Sequence, residues 1–210
     1  MVINMKKILC YGDSNTYGFN PSDFGRYTED ERWSGILKQK LASKFDIIEE
    51  GMNNRTGFVD NPAGFEYSAQ KHFPVLIESF DKIDIVILSV GTNDLQFLFD
   101  LELEDVKEKL ENLINIAKTK TGKIILIPSV ILDKRILNGF FKSQFDEKSI
   151  AKSLKMGKIY RTVAKETGCE IFDINEFAKP SDTDGLHYSK DSHKVIADTL
   201  IKKFFAHLSL

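Results

Sequence analysis

Apolar runs of strand length alternate with segments of helical periodicity, and this alternation limits the folds open to the chain. The five runs are at residues 7–11, 45–49, 83–90, 123–128 and 169–173. Short strands separated by helices are typical of βαβ units, whose strands lie parallel in one sheet. We therefore predict an α/β fold, a three-layer α/β/α sandwich with a flavodoxin-like order of about five parallel strands.

Four segments between and after these runs carry apolar residues at helical spacing. Thr28 to Glu31 has the pattern of a capping box and predicts a helix whose buried face includes Trp33 and Leu37. Further stripes predict helices at 103–118, at 147–167 with Gly168 as its C-cap, and at 195–205.

Length and charge exclude several classes of protein. A chain of 210 residues is long enough for one α/β domain, which we expect to span residues 1–210. The net charge of −2 gives no electrostatic reason to expect a nucleic-acid partner. No run of 18 apolar residues is present, so we expect no membrane partner. The first residues lack the pattern of a signal peptide, and Cys10 and Cys169 are expected to be buried reduced thiols, so the prediction is a cytoplasmic protein.

Polar residues follow four of the predicted strands. They are Asp13–Ser14, Asn53–Asn54, Thr92–Asp94 and, after the last strand, Asp184–His187. Sites in open parallel sheets lie at the carboxyl ends of the strands. These residues are therefore expected to meet at one edge of the sheet.

The first of these turns, Gly12–Gly18 with the sequence GDSNTYG, could hold either a phosphate or a nucleophile. A phosphate loop of the Walker type needs Gly-Lys-Ser/Thr at its end, and Phe19–Asn20 follows Gly18 instead. A dinucleotide fingerprint needs a third glycine. The turn therefore favours Ser14 as a nucleophile at the end of a strand.

A serine nucleophile needs a base, and the base needs a group that orients it. Asp184 precedes His187 by three residues, a spacing that places both side chains on one side of a turn. The other histidines, at positions 72, 193 and 207, have no aspartate at that spacing. Asp182 is the alternative partner for His187.

Acyl transfer also needs donors for a developing oxyanion. The Asn93 amide, the loop at 51–56 and the Ser14 N–H are candidates. Asn93 and Asp94 could instead cap a helix. Asp13 is interpreted as a hydrogen-bonding residue of its own turn, and Arg55 as either a loop ion pair or a substrate contact.

Four blocks together resemble the SGNH, or GDSL-like, hydrolase family, in order and in spacing. They are GDSNTYG from Gly12, EEGMNNRTG from Glu49, GTND from Gly91 and DGLH from Asp184. The segment RWSGIL at Arg32 and the second block resemble the arylesterase/acyltransferase branch.

The resemblance implies a role for each matching residue. Ser14 would be the nucleophile, His187 the general base and then acid, and Asp184 its orienting partner. The Ser14 N–H, the Asn54 N–H and the Asn93 side chain would form the oxyanion hole. The chain departs from the family pattern at Asn15, where leucine is usual, and at Asn54, where glycine is usual, so Gly51 or Asn53 are alternatives to Asn54.

These observations predict a serine esterase that cleaves short-chain carboxylic esters through an acyl-enzyme, with acyl transfer to alcohols as a further activity. No cofactor and no metal are expected, and the partner is a small ester. Two alternatives are a metal-dependent phosphodiesterase that uses Asp13, Asp94 and Asp184, and a non-catalytic binding module. The aromatic segment at 132–145 could form a pocket wall, a lid, a homo-oligomer contact or ordinary packing, and Tyr17, Phe19 and Phe65 are equally ambiguous.

Overall fold

A computed structural model describes residues 5–206 of the chain. Its five strands are β1 (Lys6–Gly12), β2 (Phe45–Gly51), β3 (Ile85–Ser89), β4 (Ile124–Leu126) and β5 (Glu170–Ile171). Its six α-helices are α1 (Ser14–Tyr17), α2 (Trp33–Leu41), α3 (Ala69–Glu78), α4 (Leu103–Lys118), α5 (Glu147–Thr167) and α6 (Lys190–Phe204). Single 3-10 turns lie at Phe65–Tyr67, Asn93–Leu95, Phe97–Phe99, Lys134–Leu137 and Ile174–Glu176.

All five strands are parallel, in the order β2-β1-β3-β4-β5. The predicted flavodoxin-like order is therefore confirmed. The chain moves from β1 to β2 in one direction and from β2 onward in the other. Right-handed crossovers then put the intervening helices on opposite faces of the sheet. Accordingly α2 packs with α6, while α4 packs between α3 and α5.

The central strands explain why the sheet is the core of the molecule. Ile8 to Tyr11 of β1 and Val86 to Leu88 of β3 are completely buried, because helices cover both faces. Helix α4 turns a buried stripe toward the sheet, formed by Val106, Leu110, Leu113, Ile114 and Ala117. Cys10 is also buried, as predicted, whereas Cys169 is partly exposed, so that half of the cysteine prediction is wrong.

Two helix starts differ from the prediction. The capping box at Thr28 forms only in part: the Glu31 carboxylate accepts the Thr28 N–H at 3.1 Å, but the Thr28 hydroxyl donates to Asp30. Arg32 has an extended backbone, and its guanidinium is bonded to Glu49, so α2 begins only at Trp33, four residues after the start that a Thr28 cap predicts. Helix α6 begins at Lys190 rather than 195, because Ser189 accepts the Ser192 N–H and caps it.

In the described part of the chain, none of the helices combines the length and the apolar character needed to cross a bilayer.

Candidate active site

Ser14 lies where β1 ends, between β1 and β3, at the point where the strand order reverses. Asp13 caps the short helix α1 by accepting the Asn15 N–H at 2.9 Å, and the Asp13 N–H donates to the carbonyl of Ser89 on β3. A Cβ at position 12 would stand 2.1 Å from the Thr16 hydroxyl and 2.5 Å from the Ser89 carbonyl. Only glycine therefore permits this turn, which holds Ser14 over the carboxyl end of the sheet.

Ser14, His187 and Asp184 form one chain of hydrogen bonds. The Ser14 Oγ is 2.9 Å from His187 Nε2, and His187 Nδ1 is 2.6 Å from Asp184 Oδ2. The other Asp184 oxygen accepts the backbone N–H groups of Leu186 and His187, each at 2.9 Å. The structure thus brings together the three residues that the sequence predicts as a triad.

The environment of Asp184 favours its ionised form. Burial alone would raise the pKa of this carboxyl. The side-chain bond and charge of His187, together with the two backbone N–H groups, outweigh burial, so the pKa of Asp184 is lowered from its usual value. An ionised Asp184 accepts the Nδ1 proton of His187 and leaves Nε2 to accept the Ser14 hydroxyl proton.

The rival residues named from the sequence have other partners. Asp182 is exposed and pairs with Arg135 at 2.8 Å. His72 Nδ1 is 3.2 Å from the Tyr11 hydroxyl, and His193 Nδ1 accepts the Trp33 N–H at 3.4 Å. His207 lies outside the described residues. None of the described rivals contacts Ser14.

Asn15, the residue that replaces the usual leucine, joins the Ser14 turn to the His187 loop. Its side-chain Nδ2 donates to the Leu186 carbonyl at 3.3 Å, and its Oδ1 accepts the Tyr188 N–H at 3.1 Å. Both bonds are buried, and they flank His187 on either side in the sequence. The sequence pattern could not show this role, because the two segments are joined only by the fold.

The loop after β2 carries Asn54, the residue that the resemblance implies for the oxyanion hole. Asn54 has φ of +62°, a left-handed conformation that asparagine tolerates better than most residues. Its carbonyl accepts the Asn61 side chain at 2.8 Å. Gly51 ends β2, where a Cβ would stand 2.1 Å from the Tyr17 nitrogen. Asn53 and Asn54 both line the cavity beside Ser14, and Gly51 does not.

The block GTND supplies two buried residues with separate partners. Asn93 Nδ2 donates to the Arg55 carbonyl at 3.0 Å and lies at the same cavity as Ser14. The Asp94 carboxylate accepts the backbone N–H groups of Gly57, Phe58 and Val59 at 2.6, 2.6 and 2.9 Å. Neither side chain caps a helix, and Asp94 instead anchors the loop that carries Asn54.

Arg55 fits neither of its two interpretations from the sequence. It is 1% exposed, and its guanidinium donates to the carbonyls of Gly12 at 3.1 Å and Glu66 at 3.0 Å while lying over the Tyr11 ring. Burial lowers its pKa. Arg55 is thus a structural residue that joins the loop after β2 to the end of β1.

A cavity of about 490 Å³ opens beside Ser14 and His187. Its apolar lining residues are Phe19, Phe24, Leu98, Phe140, Phe141 and Leu186. Its lining also includes five residues with side-chain amides, Asn53, Asn54, Asn93, Gln96 and Gln144. No Asp, Glu, Lys or Arg of the described residues lines it.

Aromatic rings form much of this cavity wall. The His187 ring lies 4.3 Å from Phe19 and 5.3 Å from Phe141, measured between ring centroids. Phe140 and Phe24 meet at 4.8 Å near the opening and are 68% and 54% exposed. Phe145 is buried in the core, so only part of the 132–145 segment faces the cavity. Tyr17 and Phe65 contact Arg26 and His72 instead.

The three carboxylates of the metal-dependent alternative are not gathered into one site. Asp94 is bonded to the loop after β2, Asp184 to His187, and Asp13 to the N–H of Asn15. Across residues 5–206, no group of three or more His, Cys, Asp or Glu side chains has an arrangement that could hold a metal ion. No observation on these residues favours the phosphodiesterase.

Comparison with known proteins gives the class that this fold and this site define. Residues 10–195 match the model of the GDSL-like lipase/acylhydrolase family. Since the match covers most of the chain, the protein belongs to this family, and it is a carboxylic ester hydrolase by class.

Solved structures agree with the family assignment. The inhibitor-bound aryl esterase of M. smegmatis superposes with a TM-score of 0.85 at 25% identity, covering 94% of this chain and 97% of its own. A carbohydrate acetylesterase family member from Sinorhizobium meliloti gives 0.84 at 25% identity, covering 93% and 95%. A further solved chain gives 0.90 at 30% identity, covering 98% and 100%. No curated protein matches the sequence.

Proposed function

We propose that the protein hydrolyses short-chain, uncharged carboxylic esters through an acyl-enzyme formed on Ser14. The observation that carries this proposal is the hydrogen-bonded chain from Ser14 Oγ through His187 to Asp184, at the wall of a cavity whose lining, among the described residues, includes no Asp, Glu, Lys or Arg. The aryl and carbohydrate esterases that share the fold add support, because both classes named there act on esters.

The first half of the proposed reaction forms the acyl-enzyme. Ser14 Oγ attacks the ester carbonyl carbon while its proton passes to His187 Nε2. The carbonyl oxygen becomes an oxyanion, which accepts hydrogen bonds from the Ser14 N–H, the Asn54 N–H and Asn93 Nδ2. As the tetrahedral intermediate collapses, the C–O bond to the alcohol breaks, and His187 gives its proton to the leaving oxygen.

The second half repeats these steps with water as the nucleophile. His187 takes a proton from water as the water oxygen attacks the acyl carbon. The bond between that carbon and Ser14 Oγ then breaks, and His187 returns the proton to Oγ. An added alcohol can take the place of water and yields a new ester. The phenyl rings against His187 reduce the access of water, which favours alcohol in this competition.

Replacing Ser14 tests the nucleophile. In Ser14→Ala, we expect labelling by a fluorophosphonate to disappear and turnover of p-nitrophenyl acetate to fall on the order of 10⁴-fold, with the fold intact by circular dichroism. Ser22→Ala, at an exposed serine of the next turn, is the matched control and should keep both.

Labelling that persists in Ser14→Ala at another residue contradicts the assignment of the nucleophile. A wild-type protein that is neither labelled nor active on a broad panel of esters supports the binding module instead.

The aromatic wall sets the expected acyl length. A p-nitrophenyl ester series should show highest kcat/KM from acetyl to butyryl, because Phe141 lies against His187 in the cavity lining and limits the space for an acyl chain. Phe141→Ala should shift the optimum to longer chains, whereas Phe177→Ala, at a partly exposed phenylalanine outside the cavity, should not.

A wild-type preference for eight carbons or more contradicts the small acyl pocket. Run with added ethanol or butanol, the same series tests acyl transfer. If the enzyme tolerates the alcohol but forms no new ester, acyl transfer is wrong and hydrolysis stands.

A further inference from the structure

Gln96, which follows the GTND block and one leucine, lies between two residues of the proposed oxyanion hole. Its side-chain Nε2 is 2.9 Å from Asn54 Oδ1 and 3.2 Å from Asn93 Oδ1. Gln96 itself is 4% exposed and lines the same cavity as Ser14. One amide nitrogen therefore bridges the loop after β2 and the turn after β3.

The orientation of all three amides follows from one backbone carbonyl. The Arg55 carbonyl can only accept a hydrogen bond, so the Asn93 atom 3.0 Å from it must be Nδ2. Asn93 Oδ1 then faces Gln96, which must donate to it through Nε2. The second Nε2 hydrogen goes to Asn54, which must offer its Oδ1.

This network leaves one Asn93 hydrogen free for a ligand. Asn93 Nδ2 carries two hydrogens and gives one to Arg55. No second acceptor for Nδ2 is found within the part of the chain that the structure describes, and Asn93 lines the cavity. If Gln96 did not donate to Oδ1, the Asn93 amide could rotate and its free N–H would leave the site.

We propose that Gln96 is a positioning residue of the oxyanion hole, which holds the Asn93 amide and the Asn54 loop at a fixed separation. The inference rests on the proposed function, since an oxyanion hole matters only if Ser14 attacks a carbonyl. Gln96 acts through its two neighbours and needs no contact with the substrate.

Fixed donors are the reason that oxyanion holes accelerate a reaction. Losing one donor outright costs about 10²–10³ in kcat. Gln96 loss leaves the donors present but free to rotate, so the expected cost is smaller, on the order of tenfold. The substrate's ground state gains little from these donors, so KM should change by no more than about threefold.

The test replaces Gln96 by methionine, which keeps the length of the side chain and removes its donors. We expect Gln96→Met to lower kcat for p-nitrophenyl acetate by about tenfold or more with little change in KM. Inhibition by an alkylboronic acid should weaken by a similar factor, because its tetrahedral serine adduct places an oxygen in the hole.

Asn175→Leu is the matched control. The Asn175 amide also donates two bonds, to the Ser129 carbonyl and to the Asp173 carboxylate, but it lies outside the cavity and away from the loop that carries Asn54. Its loss should lower the melting temperature while boronate inhibition stays within about twofold. Should Gln96→Met fold poorly, Gln96→Asn keeps a polar side chain and withdraws the donors by one methylene, with the same kinetic effect expected.

A double-mutant cycle separates positioning from general loss of structure. Once Asn93→Ala has removed the amide, Gln96→Met should cost at least threefold less in kcat than it does in the wild type. Fully multiplicative losses overturn the proposal, as does a Gln96→Met variant with unchanged kcat and boronate inhibition. If wild-type Ser14 is not labelled by a fluorophosphonate, the proposed function itself has failed.

Discussion

At the scale of single residues, the site depends on side chains that hold loops and other side chains in place. Asn15 lies next to Ser14, yet its amide bonds the backbone on either side of His187. Ser14 and His187 are 173 positions apart in the chain, so their 2.9 Å contact needs such a link between the two loops. Asn15, Asp94 and Gln96 all act in this way at different points of the site.

Replacing Asn15 by leucine, the residue usual in the family, tests this link. Asn15→Leu leaves the Leu186 carbonyl and the Tyr188 N–H without their partner, at about 1–3 kcal/mol for each buried group. The His187 loop is then less firmly held, so we expect kcat to fall by about tenfold as well. The measurements are urea unfolding and steady-state kinetics on p-nitrophenyl acetate.

The same substitution at an exposed asparagine of α4, Asn115→Leu, serves as the control and should change neither quantity appreciably. A kcat that stays at the wild-type value while Asn15→Leu lowers stability would assign Asn15 to the fold and not to the placing of His187.

At the scale of elements, the predictions succeeded where local signals agree. Helices α4 and α5 have their predicted bounds, because an apolar stripe and, for α5, the Asp146 capping box and Gly168 mark the ends. Helix α2 starts later than its capping box suggests, since the bond between Arg32 and Glu49 joins distant segments. Strand β5, predicted over residues 169–173, has only two residues and pairs with β4 at the edge of the sheet.

The residues of the site also divide into those that sequence signals reveal and those whose contacts depend on the fold. Ser14 and Asn93 could be found because a topological rule places the ends of parallel strands together, and His187 because Asp184 precedes it at a turn spacing. Gln96 and Phe24 could not, because their contacts depend on the paths of loops. Phe24 has φ of +63°, which no pattern of residue types announces.

The loop between β2 and α3 is held in place by one buried carboxylate. Asp94 anchors this loop by accepting three consecutive N–H groups, and the loop carries Asn54. Asp94→Asn turns one acceptor into a donor that faces an N–H, so we expect the free energy of unfolding to fall by about 2–4 kcal/mol. A looser loop should also lower kcat. Urea unfolding and kinetics on the same samples measure both effects.

Asp60→Asn, one residue beyond the anchored N–H groups, is the matched control. The Asp60 carboxylate pairs with Lys71 at the surface, where both side chains are more than half exposed, so its loss should cost less than about 1 kcal/mol. Equal effects of Asp60→Asn and Asp94→Asn would show that the three buried bonds do not anchor the loop.

At the scale of the whole molecule, the reversal of strand order between β1 and β3 decides where the chemistry lies. Crossovers leave β1 toward one edge and β3 toward the other, which opens a crevice between their carboxyl ends. Segments from four parts of the chain fill it: the turn at Ser14, the loop at Asn54, the turn at Asn93 and the loop at His187. A single domain over residues 1–210, a cytoplasmic location and homo-oligomers stay predictions.

Burial of His193 links the stability of the molecule to pH. Desolvation, and then the charges of His187 and Arg32, lower the pKa of His193 to about 3, against about 6.5 in an unfolded chain. Between these pH values His193 binds a proton in the unfolded chain but not in the folded chain. The free energy of unfolding therefore falls as pH drops from about 6.5 to 3, by up to roughly 4–5 kcal/mol.

Asp94 acts in the opposite sense. Burial raises its pKa to about 6, against the effect of its three backbone bonds, so its contribution to stability falls as pH rises from about 4 to 6. The wild-type curve sums these two groups with every other group whose pKa changes on folding, and the contribution of His193 is therefore obtained by comparison with a variant at the same pH.

His193→Gln removes the titrating ring and keeps an acceptor for the Trp33 N–H. The variant should be less stable than the wild type at pH 7, because packing against Tyr27 and Tyr188 is lost. This difference should shrink or reverse toward pH 4, where the wild type alone pays the protonation penalty. Urea unfolding followed through Trp33, the one tryptophan of the sequence, measures both curves.

His72→Gln is the control, at a partly exposed histidine whose pKa burial also lowers. The difference in unfolding free energy between the wild type and His72→Gln should change far less between pH 7 and pH 4. Parallel curves for the wild type and His193→Gln from pH 4 to 7 would mean that His193 takes up its proton in the folded state as readily as in the unfolded chain.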